Sequence, residues 1–127
     1  MHGINRISEA ELTVMEVLWA SDEPVSTGDI LKKLSEQMGW DRSTVRTLLK
    51  RLVEKGAVSE KKLKVLSYLP TVSEEEYRNT QTKKFLKRLY GGSAKRLVAS
   101  LVQNDELKPE DIEELRKFFN EEGAGHE

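Results

Sequence analysis

The chain of 127 residues contains no cysteine, which removes disulfides, thiolate metal sites and a cysteine nucleophile at once. Histidine is almost as scarce. His2 and His126 stand near the two chain ends, where neither a metal site nor a general base is expected. No apolar run is long enough to span a bilayer and no charged-then-apolar leader precedes the first helix, so export is not expected. A Gly-rich phosphate loop and paired carboxylates in an apolar setting are also missing, which argues against an enzyme and against a bound cofactor.

What is present is charge. Asp, Glu, Lys and Arg make up 34% of the residues against 37% hydrophobic, the composition of a soluble domain with a heavily charged surface. The length suits one ordinary domain, or a small domain with an appendage. A formal net charge of −1 hides an uneven distribution. Arg42, Arg46, Lys50, Arg51, Lys55, Lys61, Lys62 and Lys64 crowd one stretch against only Asp41, Glu54 and Glu60. The acids gather in Glu74-Glu75-Glu76 and from Asp105 to Glu122. A polyanionic partner needs a local basic surface, not a basic total.

Three helices are expected first. Ser8-Glu-Ala-Glu11 has the form of a capping box, and Leu12, Val14, Met15, Leu18 and Trp19 cover an arc wide enough for the middle of a core. Ser26 to Asp29 offers a second cap, with Ile30, Leu31, Leu34 and Met38 as the inner stripe and Gly39 as the stop. Asp41 and Gly56 bracket the third helix, in which Val45, Leu48, Leu49, Leu52 and Val53 recur at helical spacing. Its opposite face is Ser43, Arg46, Thr47, Lys50, Arg51 and Glu54. A face made for solubility alone would interleave more acids to gain i,i+4 pairing.

After Gly56 the period shortens. Residues 57–60 and 65–69 read as a hairpin with a basic tip, Lys61-Lys62-Leu63-Lys64, that lacks the Asn-Gly or Asp-Gly of a favoured turn. Three helices and a basic hairpin, in that order, make a winged helix-turn-helix over 1–72. Residues 73–127 are expected to be helical: one helix from the Ser73–Glu76 box to Tyr90, a short one after Ser93, and one opened by Pro109, with a frayed tail from Gly123. Each carries a single apolar stripe, drawn from Phe85, Leu89, Leu97, Val98, Leu101, Val102, Ile112, Leu115, Phe118 and Phe119. That is a marginal core for one chain, so a homodimer is expected to complete it. The fold class is therefore mainly α with a small β-hairpin wing.

A helix fits the DNA major groove, about 12 Å wide, and its outer side chains meet base edges. Arg46 and Arg51 suit guanine, Thr44 and Thr47 suit a thymine methyl or a phosphate, and Ser43 suits a phosphate. Lys50, Lys61, Lys62 and Lys64 supply attraction to phosphates. The competing reading is a winged-helix module that binds protein without touching DNA. Trp19 is expected in the core. Trp40 packs the turn before the third helix or lies against a sugar-phosphate backbone.

The chain resembles the penicillinase and methicillin-resistance repressors, the BlaI/MecI family with the copper-responsive CopY group as a branch. Ile7 to Met15 with Trp19, Trp40, Ser43-Thr-Val-Arg-Thr-Leu-Leu-Lys-Arg-Leu52 and Lys55-Gly56 carry the resemblance. So do Tyr68-Leu-Pro70, Phe85-Leu86, Tyr90-Gly-Gly92 and Leu107 to Leu115. The resemblance implies a cytoplasmic homodimeric repressor on palindromic operators of resistance genes, with Arg46, Thr47 and Arg51 on the recognition helix and Ser43 and Thr44 near the backbone. A membrane sensor-protease is a further partner it implies. The family's induction cleavage falls on an Asn-Phe bond, and Ser100-Leu101 stands at the matching position. The cysteine-rich metal hook of the CopY branch is missing, and Leu63 replaces a glycine or polar turn residue.

Overall fold

Helix α1 (Glu9–Trp19) begins where the Ser8–Glu11 spacing predicts. The Glu11 N–H donates to the Ser8 hydroxyl at 3.1 Å, and the Ser8 N–H donates to Glu11 Oε1 at 2.8 Å. Two backbone donors at the helix start are thereby satisfied. The computed structural model describes residues 7–125, with side chains described as far as Glu122. His2 and His126 lie outside the described residues.

Helix α2 (Thr27–Met38) is capped by the Ser26 hydroxyl and stopped by Gly39, whose φ of 70° is open chiefly to glycine. Helix α3 (Arg42–Glu54) is capped by Asp41, which accepts from the Thr44 N–H at 2.9 Å. Gly56, at φ 79°, turns the chain out of it.

The hairpin differs from its expected form. Strands β2 (Val58–Lys62) and β3 (Leu66–Pro70) pair antiparallel from Val58 opposite Pro70 to Lys62 opposite Leu66. Lys61 and Lys62 therefore belong to a strand, and the tip is Leu63-Lys64-Val65. With no two-residue turn signal, the loop takes three residues: β2 runs two residues further than expected and β3 starts one later. Pro70 ends β3, where a missing N–H costs little. A two-residue strand β1 (Val25–Ser26), unanticipated, adds to the other edge of β3 with Val25 opposite Tyr68, giving the order β1-β3-β2.

Helix α1 sits centrally, as its wide apolar arc implies. Val14, Met15 and Leu18 are buried against Ile30 and Leu34 of α2 and against Val45, Leu48, Leu49 and Leu52 of α3, and the hairpin closes the core with Ala57, Val58 and Tyr68. Met38, by contrast, is largely exposed at the end of α2. Trp19 is half-buried. Its indole N–H donates to the Val72 carbonyl at 2.8 Å and its ring lies 5.7 Å from that of Tyr77. Trp40 packs on the core just ahead of α3, the first of its two expected roles.

Glu11 has a second task. Although charged, it is only 1% exposed, and the Lys55 ammonium at the end of α3 lies 2.5 Å from its carboxylate. Burial pushes the carboxyl upward, but hydrogen bonds from Lys55 and the Ser8 N–H, with the Lys55 charge, hold it below the ordinary glutamate range. A depressed carboxyl contributes stability that is present above the unfolded pKa of about 4.3 and lost as pH falls through the folded value. Glu11→Gln should therefore be less stable than the native chain at pH 7, by about 1–3 kcal/mol. In thermal unfolding the gap should close as the pH drops from 5 toward 3. A gap independent of pH would show that the carboxylate charge is not what α1 and α3 share.

Helix α4 (Glu74–Tyr90) opens on a reciprocal Ser73–Glu76 cap and ends at Gly91 and Gly92, both at positive φ. Helix α5 (Ala94–Gln103) is capped by Ser93, and α6 (Pro109–Gly125) starts on its proline. The backbone is helical to Gly125, so of the tail expected to fray only the final two residues lie beyond the described backbone. The chain divides into two compact units, residues 1–81 and 82–127, so α4 begins in one and ends in the other. Its early turns belong to the first unit because Tyr77 is held by Trp19.

Candidate nucleic-acid interface

The buried stripe of α3 fixes what faces outward. With Val45, Leu48, Leu49 and Leu52 in the core, Ser43, Thr44, Arg46, Thr47, Lys50 and Arg51 are all exposed. Thirteen residues thus present four cations and three hydroxyls, with no acid before Glu54. At the N-terminal end the Ser43 hydroxyl donates to Asp41 Oδ1 at 3.0 Å. Donation from the Thr44 N–H, and then from the Thr44 and Ser43 side chains, holds the Asp41 carboxyl below the ordinary aspartate range. Ser43 must turn its hydroxyl away from Asp41 to reach a phosphate.

The outer residues form two flanks. Arg46 and Lys50 line a groove of about 400 Å³ between α3 and the hairpin, together with Thr27, Val53, Glu54, Glu60, Leu66 and Tyr68. Thr47, about 100° further round the helix, and Arg51, one turn beyond it, are exposed but do not line that groove. The Tyr68 phenol is raised above its ordinary pKa by burial first and by the Glu60 charge second, against a hydrogen bond from Thr27 and the Arg46 charge. It stays neutral at physiological pH. The Thr27 hydroxyl also reaches the Leu66 carbonyl at 3.1 Å, which ties the start of α2 to the wing.

The wing lysines are not one cluster. Side chains alternate along a strand, and residues directly opposite share a face. Glu60 and Lys62, opposite Tyr68 and Leu66, point to the groove side, whereas Lys61, opposite Ser67, points to the other side. Lys64 sits at the tip between Leu63 and Val65, which are 61% and 59% exposed. Thr27, Glu60 and Tyr68 were not among the residues expected here. Glu60 counted only as one of few acids, because a hairpin without a fixed turn does not reveal which face each residue takes.

In the second unit no described side chain is fully buried. Phe85, Leu89, Val98, Val102, Phe118 and Phe119 are 40–59% exposed, while Leu97, Leu101, Ile112 and Leu115 are half-buried. An apolar cleft of about 470 Å³ lies among Ala94, Lys95, Val98, Ala99 and Phe119. Ser100 and Leu101 sit inside α5, and the Tyr90 hydroxyl lies 3.4 Å from Ser100 Oγ. The Asn104 amide donates to the Ser100 carbonyl at 2.9 Å. Among the described residues no His, Asp and Glu side chains are grouped to hold a metal ion, and no helix is long and apolar enough to cross a membrane.

Comparison with known proteins agrees with this geometry. The model of the penicillinase repressor family matches residues 7–121. The penicillinase repressor of Bacillus licheniformis is 36% identical over 122 residues, covering 95% of this chain and 94% of that protein. The methicillin resistance regulatory protein MecI of Staphylococcus aureus is 34% identical over 115 residues, covering 90% and 93%. The solution structure of monomeric Bacillus licheniformis BlaI in complex with the blaP half-operator superposes with a TM-score of 0.53 at 39% identity, covering 58% of this chain and 90% of that one. Matched over nearly its whole length by sequence and in its winged helix by structure, the chain belongs to the penicillinase repressor family, a family of DNA-binding transcriptional repressors rather than enzymes.

Proposed function

We propose that two copies of this chain form a homodimer that represses transcription by occupying a palindromic operator, each copy laying the outer face of α3 in a major groove. The observation that carries this reading is the basic outer face of α3, free of acids until Glu54 at its end and held outward by a buried inner stripe. Arg46, Thr47 and Arg51 read bases; Ser43, Thr44 and Lys50 hold the backbone. Lys61, Lys62 and Lys64 add phosphate attraction from the wing. The paired half-sites lie about one helical turn apart, roughly 34–36 Å. Residues 73–127 supply the dimer contact, and a DNA target places the protein in the cytoplasm.

Fluorescence anisotropy with duplexes from the protein's own promoter region tests the reading. The logarithm of affinity should fall with the logarithm of salt at about −0.9 per phosphate neutralised. Changing Lys61, Lys62 and Lys64 together to Ala should weaken all duplexes alike and make that slope shallower, by roughly one for each lysine that touches a phosphate. A chain that retains no duplex at low salt, or a triple variant that binds as the native does, refutes DNA binding through this face.

A further inference from the structure

We infer that Glu60 is a specificity-determining residue, whose carboxylate holds one edge of the Arg46 guanidinium on DNA and disfavours complexes in which Arg46 is off its base. The inference rests on the proposed DNA reading. It begins from an oddity of placement: an acid stands on the groove side of the wing, where phosphates would otherwise be welcome. The register sets Glu60 directly opposite Tyr68, and both line the groove that Arg46 and Lys50 bound from α3. Glu60 and Arg46 thus face each other across the groove, with Tyr68 in its lining between α3 and the wing.

In the free protein both side chains are exposed and, among the described residues, no ion pair joins them; water screens their charges and leaves Arg46 mobile. DNA changes the balance by covering the groove and excluding water, which strengthens every charge interaction inside it. A guanidinium has five N–H donors in a fixed fork, enough for a carboxylate on one edge and guanine O6 and N7 on another. Because the fork is planar and rigid, one loss of side-chain freedom serves both sets of bonds. On a wrong sequence Arg46 turns to a phosphate instead. Glu60 then loses its Arg46 partner beside a polyanion, with only the more distant ammonium charges of Lys50 and Lys62 on that side, and that complex is weakened. The acid thus costs non-specific binding more than operator binding. Tyr68 stays neutral beneath the pair and adds no charge of its own.

The test uses the full chain at one fixed salt concentration. The two probes are the duplex footprinted from its own promoter and a scrambled duplex of the same length and composition. Glu60→Gln should bind the scrambled duplex about 3–10-fold more tightly and the operator no more tightly than the native chain, so that discrimination falls. In an Arg46→Lys background, which lacks the planar fork, Glu60→Gln should shift both duplexes equally. Equal tightening of both duplexes in the native background would reduce Glu60 to general repulsion and overturn the inference. So would an equal loss of discrimination in the Arg46→Lys background, because Glu60 would then act without Arg46. Unchanged thermal unfolding of Glu60→Gln confirms that the readout is not a folding defect. A native chain that does not distinguish the two duplexes overturns the DNA reading itself, a failure visible before any variant is made.

Discussion

The Arg46→Ala, Arg51→Ala double variant should bind its operator at least about 30-fold more weakly than the native chain and keep almost no preference for it over scrambled DNA. Each bidentate arginine–guanine contact discriminates by about 1–3 kcal/mol, and each 1.4 kcal/mol is tenfold. Arg46 lines the groove and Arg51 does not, and each is expected to meet a base of its own, so their effects should add. Both are exposed and alanine is a good helix former, so the unfolding midpoint should hardly move. The salt slope separates the possible losses. Lost base contacts leave it nearly unchanged, whereas lost phosphate contacts reduce it by about one each. Native-like binding by the double variant would remove α3 from the reading surface.

The second large effect concerns assembly. Val98→Asp with Phe119→Asp should turn a dimer into a monomer in sedimentation equilibrium and lower affinity for the full operator by about 10²–10⁴-fold, while half-site affinity is preserved. Val98 and Phe119 both line the apolar cleft of the second unit and are exposed in the single chain, so a charge there costs that chain little. Buried between two copies, the same charge would be unpaired and expensive. The argument is one of insufficiency: three amphipathic helices without one fully buried side chain among the described residues are half of a core. A variant that stays dimeric, or that holds the full operator as the native does, would show that the partner copy sits elsewhere.

Much of this architecture was legible because its signals are local. A cap such as Ser8, Ser26 or Asp41 acts within three residues, and a helical stripe acts within two turns, so α1, α2 and α3 begin at the expected caps. The same locality made the outward face of α3 readable once Val45, Leu48 and Leu52 were recognised as inward. What escaped notice is decided at a distance. Two residues of β1 have no pattern of their own; they are a strand only because Tyr68 and Ser67 lie beside them. Glu11 reads as an ordinary helix-start acid, and its burial depends on a lysine 44 positions later. The faces of Glu60 and Lys61 depend on a hairpin register in which a slip of one residue exchanges them.

One consequence of α5 concerns time. A peptidase takes its substrate as an extended strand, and the Ser100–Leu101 bond is wound inside a helix fastened by Ser93 at its start and by Asn104 at its end. Scission there cannot outrun the breathing of that short helix, whatever the enzyme's intrinsic speed. The helix would thus act as a clock for any such cut, and anything seated against its apolar side would slow the clock by holding it wound.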